Sequence, residues 1–200
     1  HAPAISKDED LQTAARIMLD ANVRHLPVVD HKGQILGILT DEKILEFSKE
    51  KLKGKKVSDV MTTNVITLSL GSTVAQALKI FREYNISHLP ITKRDKIVGM
   101  LTLHDIVTKF MRSEVLPPLT VSVDSFISEN IITISPDSSL KDAIETMLKN
   151  DVSSLIVLRE NKLVGIVTKR DILEVLAVKD RGRVRVEIFG NIPEDVNLEY

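Results

Sequence analysis

Two short strings in this 200-residue chain carry residue types fit for chemistry at a matched spacing: Thr102-Leu103-His104-Asp105 and Thr168-Lys169-Arg170-Asp171. Each follows an apolar, β-branched run and precedes an apolar helical pattern, so the backbone turns there from strand into helix. A helix N-terminus leaves N–H groups unpaired and carries a partial positive charge, which suits a phosphorylated ligand. An ionised Asp only accepts hydrogen bonds, so Asp105 and Asp171 suit the two hydroxyls of a sugar diol. Thr102 and Thr168 add hydroxyls, and Lys169 and Arg170 add cations able to reach an anionic phosphate. Thr-x-x-Asp before an apolar helix is also a helix-capping start. Repetition does not decide between the two readings, because every repeat needs a cap.

Searches for other chemistry fail. The chain has no cysteine, which removes disulfides, zinc-thiolate sites and thiol catalysis. No phosphate-binding or dinucleotide-binding glycine loop is present, nor a zinc-protease helix or a serine-nucleophile elbow. The carboxylates are scattered among lysines and read as a solvated surface. Glu42, Glu46, Glu50 and the lysines between 51 and 56 read as a charged helix end and linker. A net charge of −1 gives no electrostatic footprint for wrapping nucleic acid. No run approaches the length of a membrane span, and the start has no secretory signal pattern. A cytoplasmic protein is expected, and no metal.

The strings belong to a repeat. His25-Leu26-Pro27-Val28-Val29 recurs as His88-Leu89-Pro90-Ile91-Thr92, at an offset of 88 − 25 = 63 residues. A third copy, Asp151-Val152-Ser153-Ser154-Leu155-Ile156-Val157, is more diverged, at 154 − 88 = 66. A second anchor follows each first one: Gly37-Ile38-Leu39-Thr40, Gly99-Met100-Leu101-Thr102 and Gly165-Ile166-Val167-Thr168. In the second copy, Asn64 to Leu68 reads as a strand and Ser72-Thr73 as a helix cap. Val74, Ala77, Leu78 and Phe81 then make one helix face. A strand from Ile86 to Ile91, a polar turn at 93–95, a strand from Lys96 to Leu101 and a helix from Asp105 to Met111 complete the copy. The helix faces of the other copies are Leu11, Ala14, Ala15 and Met18, and Ala143, Ile144 and Met147. The predicted class is mixed α/β (α+β), built of tandem βαββα modules. With 43% hydrophobic and 4% aromatic residues the core must be aliphatic. A module of about 60 residues buries too little surface alone, so the modules are expected to pack in pairs with clefts between them.

These residues resemble the CBS (cystathionine-β-synthase) domain family. The resemblance is carried by Val57-Ser58-Asp59-Val60-Met61-Thr62, Asn64-Val65-Ile66-Thr67, His88-Leu89-Pro90 and the endings Gly99 to Asp105 and Gly165 to Asp171. It spans residues 2 to 177, and it looks like archaeal multi-CBS proteins and the regulatory gamma subunit of AMP-activated kinase. It implies modules at 2–50 (lacking its lead-in segment), 57–112 and 121–177, packed in pseudo-twofold pairs. Residues 178–200 are then a strand-like extension, with alternation over Val184 to Phe189 and a turn over Gly190 to Pro193.

The resemblance further implies a non-catalytic regulator that binds AMP, ADP, ATP or S-adenosylmethionine between paired modules. No cofactor is required. Around Asp171 and Thr168 the implied walls are Met61, Asn64, Ile66, Ile86 and Ser87, joined by Ser153, Ser154 and Ile166, with Arg170 toward phosphate. Around Asp105 and Thr102 they are Ser87, His88, Met100, Ile127, Asn130, Ile132 and Val152. Ordinary core burial is the alternative for each apolar member. The first copy departs from the pattern: Lys43 stands at the Asp position and cannot accept from a ribose hydroxyl, so the Thr40 cleft is expected to hold no nucleoside in the family manner, or only an anion. Three copies are odd for a family that pairs. Either a further CBS module completes the first copy or a homodimer does. Two other functions remain: a structural or dimerisation module without nucleotide, and a regulator attached to another domain.

Overall fold

The computed structural model describes residues 3–94, 96–112 and 119–178. The strand and turn expected between 184 and 193 lie outside these residues, as does part of the turn at 93–95. The described residues form a mixed α/β fold with three small sheets. The first module runs β1 (Ile5–Ser6), α1 (Leu11–Ala21), β2 (His25–Val29), β3 (Ile35–Thr40) and α2 (Asp41–Ser48). The second runs β4 (Leu68–Ser69), α3 (Val74–Tyr84), β5 (His88–Lys93), β6 (Lys96–Thr102) and α4 (Leu103–Arg112). The third runs β7 (Thr133–Ile134), α5 (Leu140–Asn150), β8 (Ser154–Arg159), β9 (Lys162–Thr168) and α6 (Lys169–Ala177).

Each sheet pairs a two-residue strand in parallel with the first strand of an antiparallel hairpin. Each hairpin carries a bulge at one equivalent place, between Val28 and Val29, Ile91 and Thr92, and Val157 and Leu158.

The Asn/Asp that precedes each His-Leu-Pro-type anchor has a backbone role. Asn22, Asn85 and Asp151 close α1, α3 and α5 with φ of 51°, 50° and 51°. Short polar side chains tolerate this left-handed conformation best after glycine. The next residue then donates back to the helix: Val23 to Met18 O, Ile86 to Phe81 O and Val152 to Met147 O, each at 3.0–3.1 Å. The N-termini are capped by Asp10, Thr73 and Ser139, and Thr73 with Gln76 forms a reciprocal box.

Two expected strands begin later than their composition predicts. Only Leu68 and Ser69 of the Asn64 to Leu68 stretch and its end lie beside β5, so the β-branched residues before them mark extended backbone outside the ladder. β5 begins at His88, because the Ile86 N–H is already used to close α3. Helix α4 starts two residues before the expected Asp105.

The described residues divide into two units, one within 3–53 and 169–178, the other within 54–168. In the first, α6 packs on α1 and α2 of the first module. Ala14 and Ala15 are fully buried on α1. The Arg16 guanidinium donates to Ala177 O (3.3 Å).

In the second unit, the second and third modules exchange their lead-in segments. Val123 and Phe126 sit in the core of the second module with Val74, Ala77, Phe81, Leu89, Ile91, Leu101 and Ile106. Phe126 meets Phe110 edge-on, with ring centres 5.7 Å apart. Backbone bonds fix the exchange: Val57 N–H donates to Ser138 O (2.9 Å), and Val123 N–H to Ser72 O (2.8 Å). Burying several apolar side chains in a neighbouring module's core, at about 1.5–3 kcal/mol each, explains why neither module of the pair needs to be stable alone.

Candidate functional site

The residues expected around Asp105 lie within the second unit, and backbone bonds draw most of them together. Leu103 N–H donates to Ser87 O (3.1 Å), which ties the start of α4 to the turn before β5. Met100 and Ser128 exchange both backbone bonds at 2.8 Å, so the third module's lead-in lies along β6 and brings Ile127 against Gly99. Ile156 N–H donates to Ile132 O (3.0 Å), which holds Ile132 beside β8. His88 Nε2 lies 2.7 Å from Ser153 Oγ, and its Nδ1 lies 3.0 Å from Ser87 Oγ. Ile127, Ile132, Val152 and Met100 are half-buried, while Asn130 and Ser87 are exposed. Half-buried aliphatic groups beside exposed polar ones suit a flat heterocycle that carries a polar sugar.

Asp105 itself is half-buried at the mouth of α4. The capping reading holds here in full. Asp105 N–H donates to Thr102 Oγ1 (3.1 Å), and Thr102 N–H donates back to Asp105 Oδ2 (3.1 Å). The Thr102 hydroxyl also donates to Oδ2. All the bonds to the carboxylate converge on Oδ2, and among the described residues Oδ1 has no partner. An ionised carboxylate has acceptor sites on both oxygens, so the cap leaves accepting capacity to spare.

The second set divides between the units. Met61, Asn64, Ile66, Ile86, Ser87, Ser153, Ser154, Ile166 and Thr168 lie in one, and Arg170 and Asp171 in the other. Within the former, Thr62 and Ile166 exchange backbone bonds at 2.9 and 3.0 Å, which lays Met61 against Gly165. This mirrors the Met100–Ser128 bridge. Ser154 and Ile166 are buried, and Asn64 is exposed. Within the other unit the two cations expected to face phosphate have protein partners. Lys169 is buried, with Nζ 2.7 Å from Glu42 Oε1. Arg170 donates to Asn22 Oδ1 (3.1 Å) and pairs with Glu174 (3.4 Å). The Lys169 ammonium beside Glu42 holds that carboxyl below its usual range.

In the first module Thr40 caps α2 through the Lys43 N–H (3.2 Å). Lys43 pairs with Glu46 at 2.8 Å and stands over the Phe47 ring. Its charge is thereby engaged on the helix surface. His104 is exposed, with Nε2 3.2 Å from Thr108 Oγ1.

Thr62 and Ser128, which hold the exchanged segments, escape a reading of residue chemistry. Their signal is the repeat offset: 128 − 62 = 66, the same as 154 − 88 = 66. The Glu42–Lys169 pair joins residues 127 apart and has no such signal. Among the described residues no helix is long and apolar enough to cross a membrane, and no group of three or more acidic or histidine residues is placed to hold a metal ion.

Comparison with known proteins agrees with this architecture. The CBS domain family matches residues 1–50, 57–112 and 117–178. The uncharacterized protein MJ1404 of Methanocaldococcus jannaschii is 30% identical over 98% of this chain and 51% of its own, so the chain spans about half of that relative. The crystal structure of MJ1225 from the same organism, proposed as an archaeal homologue of γ-AMPK, shares the fold. Its TM-score is 0.72 and its identity 23%, over 87% of this chain and 66% of that one. A CBS domain pair of protein MJ0100, solved with 5′-methylthioadenosine and S-adenosyl-L-methionine, matches with a TM-score of 0.54 at 28% identity, over 60% of this chain and 94% of that one. With its three matched repeats covering most of its length, the chain belongs to the CBS domain family.

Proposed function

We propose that this chain is a non-catalytic regulatory protein whose second and third modules bind an adenosine-containing ligand beside Asp105. One observation carries the reading. The carboxylate at the mouth of α4 is fixed by a three-bond cap with Thr102 and keeps Oδ1 without a partner among the described residues. A fixed acceptor with an open oxygen is pre-organised for a ribose hydroxyl. The aliphatic residues Ile127, Ile132, Val152 and Met100 are the expected walls for adenine. Asp171 holds the equivalent position in the third module and is expected to play the same part. The MJ0100 pair, which holds two adenosyl compounds, supports the ligand class. AMP, ADP, ATP and S-adenosylmethionine are the candidates. Occupancy would act on a partner or attached domain through unequal affinity for two states.

Calorimetry with those four ligands tests this. At least one should bind, and Asp105→Asn should weaken it by about 1.5–3 kcal/mol, the worth of a hydrogen bond to a charged group. The Asn side chain keeps an acceptor oxygen for the Thr102 donors, so stability should change by about 1 kcal/mol or less. Silence from all four ligands on folded protein, or an unchanged isotherm for the variant, overturns the reading.

A further inference from the structure

The surroundings of Asp105 carry a charge pattern of their own. Residues 85–88, 100–105, 127–132 and 151–153 are drawn together there by the Leu103–Ser87 and Met100–Ser128 backbone bonds and by the His88–Ser153 contact. These four segments hold three carboxylates, Asp105, Glu129 and Asp151, and no Lys or Arg. Where the third module has Lys169 and Arg170 in the first turn of its closing helix, the second has Leu103 and His104. Glu129 and Asp151 are exposed, and among the described residues neither has an ion-pair partner. Their backbones are fixed beside the expected walls. Glu129 O accepts from Ile131 N–H (3.0 Å), with Asn130 between them. Asp151 closes α5 at φ 51° and is followed at once by Val152.

A phosphate monoester carries about −1.5 to −2 charges at neutral pH and binds where cations or unpaired N–H groups await it. The mouth of α4 commits the groups that would serve. Leu103 N–H donates to Ser87 O and Asp105 N–H to Thr102 Oγ1, each at 3.1 Å. Both nitrogens of the His88 ring face serine hydroxyls, at 3.0 and 2.7 Å. A phosphate here would meet three carboxylates of its own sign. A sulfonium would meet three of opposite sign, and a thioether is indifferent to them. Charge of one sign around a site discriminates between ligands mainly by repelling the wrong one.

We propose that the Asp105 site selects its ligand by charge: it takes an adenosine whose 5′ substituent is a sulfonium or a thioether, as in S-adenosylmethionine and 5′-methylthioadenosine, and discriminates against the nucleoside phosphates. Glu129 and Asp151 are the specificity-determining residues. Asp105 faces the ribose, which both classes of ligand share, so the choice between them falls to the other two carboxylates. This inference rests on the adenosine-binding reading of Asp105 and narrows it from four candidate ligands to one chemical class.

Calorimetry on the full chain and on its Asp105→Asn variant isolates this site, because binding that the variant weakens belongs to it. The probes are S-adenosylmethionine, 5′-methylthioadenosine, AMP and ATP. In the Asp105-dependent component the tighter of the first two should bind at least about tenfold more tightly than the tighter of the last two. Raising salt from about 0.05 M to about 0.5 M should shrink that ratio, because screening weakens charge discrimination. Glu129→Lys should weaken S-adenosylmethionine and strengthen AMP, each by about threefold or more. Asp151→Asn should move the two ligands in the same opposed directions while keeping the left-handed closure of α5. A merely structural role for either residue would move both ligands alike. A preference below about tenfold in the Asp105-dependent component, or one for the phosphates, overturns the selection and leaves the adenosine site standing. So does a ratio that salt leaves unchanged, or a Glu129→Lys variant that shifts both ligands alike. Silence from all four probes, or binding that Asp105→Asn leaves untouched, overturns the site and the selection with it.

Discussion

His88 Nε2 lies 2.7 Å from Ser153 Oγ, across 65 residues of sequence. The ring's other nitrogen lies 3.0 Å from Ser87 Oγ, so a hydroxyl stands at each end of the imidazole. A neutral imidazole donates from one nitrogen and accepts at the other, and a serine hydroxyl can do either, so both tautomers satisfy the line. The line joins the first residue of β5 to the residue before β8, at the place where the ligand is proposed to sit.

That bond predicts a measurable coupling. His88→Ala and Ser153→Ala, alone and together, form a double-mutant cycle read by urea unfolding. The interaction energy should be about 0.5–1.5 kcal/mol, the net worth of one sheltered hydrogen bond. Additivity within about 0.3 kcal/mol would mean the two side chains do not meet in solution.

Gly165 and Gly37 should respond differently to one added methyl group. In Gly165→Ala the new Cβ meets Met61 Sδ, which can swing aside, and Thr62 O at 3.0 Å, which as backbone cannot. The expected cost is about 1–3 kcal/mol. Gly37→Ala meets nothing and should leave stability within about 0.5 kcal/mol. Equal melting temperatures for the two variants would contradict the exchanged lead-in segment.

The Glu42–Lys169 pair should give the first unit an acid-sensitive contribution. The hydrogen bond from buried Lys169, and then its charge, hold the Glu42 carboxyl below its ordinary value of 4.5. A group whose folded pKa is depressed stabilises fully above the unfolded value and loses that contribution as pH falls through the folded one. Because Glu42 is half-exposed, solvent limits the effect to about 0.5–1 kcal/mol. Thermal melts of the parent and Glu42→Gln from about pH 7 down to about pH 3 should therefore converge only below the ordinary carboxylate range. A constant gap across that range would exclude the linkage.

Local physics is written plainly in this chain. Asn22, Asn85 and Asp151 mark left-handed helix closures, Thr73 and Ser139 mark helix starts, and Thr102 with Asp105 marks a cap, each from interactions within a few residues. Lys43, which stands where an Asp would be needed for a sugar, pairs with Glu46 on the helix surface. Lys169 and Arg170, read from sequence as cations able to reach a phosphate, also have partners on another module that residue chemistry does not reveal: Glu42 for one, Asn22 for the other.

What the amino-acid order determined by itself is therefore the repeat, read from anchors 63 and 66 residues apart, together with the elements of each copy and the residue types at each helix mouth, which depend on spacings of two to five residues. Only the tertiary structure decided which module receives which lead-in segment, and that α6 packs with α1 and α2. Such contacts join surfaces of similar aliphatic character far apart in sequence. Apolar burial is non-directional, so shape, backbone reach and an exchanged pair of hydrogen bonds choose the partner.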